Sequence, residues 1–205
     1  EQLIELDMKP SKSGQLRLFG RSIRESVEEA NVLRSRLREI PVRDITDVEA
    51  MARLDGQSRR ILDLPKLVGD AFVGGILANK KATDRNARIE TIAELSDDAA
   101  AESADAIATL KRLASEDLAK DEPNNRPRRP FHWPLEFPEV FGRENKGFDA
   151  IVGNPPFVGG KRITGAMGTA FRAWLVAVLA DGRSGSADLV AYFFLRAGSL
   201  IRIGG

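Results

Sequence analysis

The sequence predicts an α/β fold, part of a doubly wound, Rossmann-like sheet carrying a long charged helical insertion, on three observations. Phe148-Asp149-Ala150-Ile151-Val152 has the length and β-branched content of a buried strand. Two helical patterns, 169–180 and 188–202, follow it, giving the strand, loop and helix succession of half a wound sheet. Charge and aromaticity separate along the chain. Of 31 Lys and Arg and 30 Asp and Glu, residues 131–205 hold only eight and six, yet eleven of the thirteen aromatic residues lie there.

The insertion is read over residues 1–120. Ile23, Val27, Ala30, Leu33, Leu37 and Ile40 recur at helical spacing, and Pro41 ends that helix. Thr46-Asp47-Val48-Glu49 has capping-box form ahead of a second helix with a weak apolar face, Val48, Met51, Asp55, Ser58 and Leu62. Pro65 suits the first turn of a third, carrying Leu67, Val68, Ala71, Phe72 and Ile76. Ile89, Ile92 and Leu95, then Ile107, Leu110 and Ala114, continue the periodicity; helices packed on one another or a projecting arm both satisfy it. Gly74-Gly75 lies within a helical pattern with no strand before it, so packing or a helix break is favoured over a cofactor loop. Residues 121–130 contain three prolines and read as a linker. Arg126, Arg128 and Arg129 are expected to be solvated there, and His132 and Trp133 to pack in an aromatic cluster.

Composition removes several function classes. With no Cys and one His in 205 residues, thiol nucleophiles, Cys-based zinc sites and Ser-His chemistry are disfavoured, and no metal is expected. A net charge of +1 predicts no nucleic-acid coating by bulk electrostatics. No apolar run approaches the roughly 18 residues of a membrane span, so no membrane association and a cytoplasmic location are expected. The chain lacks an initiator Met and stops at Ile203-Gly204-Gly205 after an apolar helical pattern; it is expected to be a piece of a larger protein.

The sharpest signal is FDAIVGNPPF, residues 148–157. Gly153-Asn154-Pro155-Pro156 stops the expected strand abruptly, and in open α/β sheets ligands bind just beyond the carboxyl ends of strands. An Asn side-chain carbonyl and a main-chain carbonyl held by locked proline φ can accept the two hydrogens of a planar amino group, and an aromatic ring can stack on a base. Gly159-Gly160-Lys161 lacks phosphate-loop spacing and is expected to give freedom to a mobile loop.

Asn154-Pro155-Pro156-Phe157 after FDAIVG resembles the catalytic motif of S-adenosylmethionine-dependent amino-methyltransferases, most closely the N6-adenine DNA methyltransferases of large bacterial restriction-modification and phage-defence systems. The stretches FHWPLEFPEVF and SGSADLVAYFFLRAGSLIRIGG share that resemblance, which covers about residues 131–205 well and 1–130 more weakly. It implies that 131–205 is part of a methyltransferase catalytic domain, that S-adenosylmethionine is the cofactor, and that double-stranded DNA, with a flipped adenine, is the substrate. It also implies catalytic roles for Asn154, Pro155, Pro156 and Phe157 and allows for defence-system partner subunits. The glycine-rich cofactor loop has no match, so cofactor-binding residues are expected upstream of Glu1 and 1–205 alone is expected to be nearly inactive. Transfer to a protein glutamine amide or to RNA adenine, or a non-catalytic helical interaction module, are the alternatives.

Overall fold

The computed structural model describes residues 16–120, 122, 126–183 and 185–205. Five long helices lead the chain: α1 (Leu16–Glu39), α2 (Ile45–Ile61), α3 (Asp63–Ala78), α4 (Ala82–Ala100) and α5 (Ala104–Ala119). Shorter pieces follow: α6 (Trp133–Glu136), α7 (Pro138–Phe141), α8 (Gly160–Met167) and α9 (Thr169–Trp174), which widens into a π-helical turn over Leu175–Leu179. The last helix is α10 (Leu189–Leu200).

No strand forms among the described residues, and the expected α/β doubly wound sheet is corrected to an all-helical arrangement. The reason lies in partners. Phe148 alone pairs, in an isolated parallel bridge to Ile201: its N–H donates to Leu200 O at 2.8 Å and its carbonyl accepts from Arg202 N at 3.0 Å. Past Ile201 the chain turns, with Gly204 at φ +78°, and no described residue continues a ladder beside Asp149 to Val152. Val152 is 98% exposed, and β-branched residues favour a strand only where a pleated, half-buried surface is there to receive them.

The leading helices pack on one another instead of projecting as an arm. Val68, Ala71 and Phe72 of α3, Ile92 and Ala99 of α4, and Ala106, Leu110 and Ala114 of α5 form one buried cluster. Gly74-Gly75 is the packing feature favoured above: a Cβ on Gly74 would stand 3.0 Å from Asp117 Cβ, and one on Gly75 2.9 Å from Arg88 Cγ. Their bareness lets α4 and α5 approach α3. Asp117 sits at that crossing, where burial pushes its carboxyl up while Arg88, 3.1 Å away, pulls against it.

The cap of α2 lies two residues earlier than Thr46. Asp44 accepts from Thr46 N at 2.8 Å and Asp47 N at 3.3 Å, and Asp47 returns to Arg43 N at 2.9 Å. Hydrogen bonds from Thr46 hold the Asp44 carboxyl below the usual range. No helix is long and apolar enough to cross a membrane among the described residues.

Helices α1, α2 and α3 grip the aromatic segment. Arg34 donates to Ser58 Oγ (3.0 Å), to the Glu136 carbonyl (2.6 Å) and to Glu139 Oε2 (3.0 Å). Lys66 pairs with Glu136 at 2.9 Å, and buried His132 meets Asp70 at 2.8 Å while seated on Gly69. Trp133 joins the expected ring cluster. Trp133, Phe137 and Phe141 surround Phe148 edge-on at centroid distances of 5.5, 5.3 and 5.4 Å, an arrangement worth roughly 0.5–1.5 kcal/mol per pair beyond area burial.

Candidate active site

Residues 149–157 form a loop strung along α10 and tied to both of its ends. At the near end Phe148 is bonded to Leu200 and Arg202, as above, and Asp149 is held by Arg202 at 2.5 Å and Arg143 at 3.5 Å. The Arg202 hydrogen bond, reinforced by the charges of both arginines, keeps the Asp149 carboxyl below the usual range. At the far end Val158 O accepts from Leu189 N at 3.0 Å, and Val158 N donates to Asp188 Oδ1 at 3.1 Å. A helix of 12 residues, about 18 Å long, thus fixes the separation of the two ends.

Two glycines make the anchoring possible. Gly147 has φ +115°, and a Cβ there would fall 2.6 Å from Arg202 N and 2.7 Å from Leu200 O. A Cβ on Gly160 would fall 2.3 Å from Ser186 O. Gly160 therefore serves close backbone approach at the start of α8, where the sequence suggested loop mobility, and Arg172 locks the junction by donating to Gly160 O at 2.6 Å and Gly185 O at 2.5 Å.

The four residues singled out in the sequence share this loop. Pro155 is half-buried and, with Ile151, Gly153, Phe193, Phe194 and Ala197, lines an apolar groove of about 290 Å³. Asn154 and Pro156 are exposed, and the Asn154 side chain has no hydrogen-bond partner among the described residues. Phe157 is 75% exposed and shares none of the ring contacts found there. Both ends of the loop are pinned while the Asn154 side chain and the Phe157 ring stand unengaged, which is an arrangement for meeting something outside the chain.

Other expectations resolve differently. Arg128 is a strut, paired with Glu122 at 2.6 Å and donating to Met167 O at 3.1 Å, whereas Arg126 and Arg129 are exposed. Gly147, Arg172 and Asp188 hold the loop but were not singled out from sequence, and Gly160, read there as a source of loop freedom, holds it too. Asp188 had a legible signal, an N-cap residue before an apolar helical run. Its bond to Val158, thirty positions away, had none.

A family model described as Eco57I restriction-modification methylase matches residues 16–205. No curated protein and no solved structure matches the chain. The matched span takes in the packed helices, the aromatic segment, the pinned loop and α10 together, and on it the chain belongs to the Eco57I restriction-modification methylase family.

Proposed function

We propose that residues 154–157 are the acceptor-holding loop of a DNA methyltransferase that transfers a methyl group from S-adenosylmethionine to adenine N6. The observation that carries this reading is the loop itself: Asn154 and Phe157 stand exposed on a segment fixed at both ends. Adenine N6 is a poor nucleophile because its lone pair is delocalised into the ring. Accepting both amino hydrogens, one at the Asn154 side-chain carbonyl and one at the Pro155 main-chain carbonyl, orients that nitrogen and favours the pyramidal geometry in which its lone pair is free. The locked φ of Pro155 and Pro156 stiffens the backbone that carries the second acceptor. Phe157 offers its face to the base once that base has left the duplex.

S-adenosylmethionine, as donor, supplies an electrophilic methyl group. The groove beside the loop does not fit it: the lining side chains are apolar, and none offers a carboxylate or hydroxyl to the ribose or to the methionine ammonium. No residue of this chain is therefore assigned to the donor. A glutamine amide poses the same chemical problem as adenine. Exposed Lys161 and Arg162, directly after the loop, favour a polyanionic substrate over a protein amide.

Phe157 tests the reading. At 75% exposure it contributes little to the core, so Phe157→Ala is expected to leave the melting temperature within error. Turnover should fall by the stacking contribution of about 1–3 kcal/mol, roughly 5- to 150-fold, and Phe157→Tyr should keep it. Melting and single-turnover methylation are measured on the same preparations. A stable, fully active Phe157→Ala protein overturns the assignment.

A further inference from the structure

One oxygen of Asp188 does two jobs. Oδ1 accepts from Val190 N at 3.0 Å, which caps α10, and from Val158 N at 3.1 Å, the amide directly after Phe157. The first bond is local and is what any N-cap residue makes. The second crosses thirty positions and is joined by Leu189 N donating to Val158 O at 3.0 Å, so the half-buried carboxylate fastens the exit of the loop to the first turn of the helix along which the loop lies.

We propose that Asp188 is a positioning residue for methyl transfer, setting where Phe157 and the Pro155 carbonyl stand through its bond to Val158; this rests on the acceptor-loop reading above. It touches neither substrate nor donor. The main chain from Pro155 to Val158 is short, and Pro155 and Pro156 remove two of its φ freedoms, so a displacement of Val158 is passed on to the acceptor groups with little absorbed between. Misplacement of such groups by about 1 Å costs on the order of 100-fold in rate.

The experiment separates the cap from the cross-link in the full-length protein. Asp188→Ser keeps a good N-cap, but its shorter hydroxyl cannot reach both amides. Asp188→Asn keeps an oxygen at the Oδ1 position and should do both. Asp44→Ala removes a comparable carboxylate cap from α2, away from the loop, and controls for helix fraying. At saturating DNA and donor, Asp188→Ser is expected to lose about tenfold or more in kcat with KM for the donor unchanged, and Asp188→Asn to stay within about threefold of wild type. Asp44→Ala should lower the melting temperature without changing kcat. Amide exchange at Val158 should accelerate in Asp188→Ser and not in Asp188→Asn. An Asp188→Ser enzyme with wild-type kcat, or an Asp188→Asn enzyme as slow as Asp188→Ser, overturns the inference. Asn154→Ala is run beside them: if it is inactive while Asp188→Ser is fully active, only the role of Asp188 falls, and if it is fully active the acceptor-loop reading falls with it.

Discussion

Asn154→Ala is expected to lower methyl transfer by about 100-fold or more, with folding and DNA affinity left near wild type. The magnitude follows from what the side chain would do. In the ground state an amino nitrogen conjugated to the ring is flat, and an acceptor that favours pyramidalisation acts mainly where the new bond forms. Its loss therefore falls on kcat more than on binding. Stability should hold because Asn154 is exposed and has no hydrogen-bond partner among the described residues, so truncation breaks no bond seen there. DNA affinity should hold because phosphate contacts dominate it. Asn154→Gln is the stringent companion: it restores the carbonyl one methylene further out, and a shift of that size should still cost on the order of 100-fold. Single-turnover rates with labelled donor, with DNA titration on the same proteins, check both parts. Wild-type rates in Asn154→Ala would remove Asn154 from the chemistry.

Gly147→Ala is expected to destabilise the protein by about 2–4 kcal/mol, from two sources that act together. At φ +115° an L side chain is strained wherever it points. Here the added Cβ also meets Arg202 N, Leu200 O and Ile201 C, all within 2.8 Å and all backbone, so no rotamer change relieves the contact. What must give is the Phe148 bridge to Ile201 and with it the entry of the loop. Urea unfolding should show the midpoint falling. Gly56→Ala, inside α2 with nothing within 4 Å of the new Cβ, should stabilise the protein by roughly 0.5–1 kcal/mol and move the midpoint up. Equal midpoints for Gly147→Ala and wild type would show that the close approach at Phe148 is not needed.

The helical part of the fold was legible because periodicity reports burial. Ala30, Val68, Phe72, Ile92 and Leu110, all placed on apolar stripes, are all buried. Boundaries were less so: Thr46 with Glu49 and Asp44 with Asp47 are competing caps, and Asp44 wins by reaching both first-turn amides. The sheet failed for a different reason. The pattern in 148–152 is that of a strand, yet a strand exists only with a partner, and local sequence cannot say that Ile201 offers one residue of pairing and then turns. At the candidate site the four loop residues were legible as a chemical type, an acceptor, two rigid links and a ring. What fixes them was not. Gly147, Gly160 and Asp188 act on backbone twenty-six to fifty-five positions away, and such contacts leave no mark in local spacing. Likewise Arg34 reads as one of many helix-surface arginines until Ser58, Glu136 and Glu139 are seen around it.

On the proposed reading, the pinned, exposed loop at 154–157 presents adenine N6 for methylation. The most direct test of that reading is to incubate the full-length protein with S-adenosylmethionine carrying a labelled methyl group, together with duplex DNA, RNA and protein in parallel, and to identify the labelled product after digestion. Label in the DNA, recovered as N6-methyladenine and absent with Asn154→Ala, is the result expected. Label on cytosine, on glutamine or on RNA alone, or an N6-methyladenine yield that Asn154→Ala leaves unchanged, would contradict it.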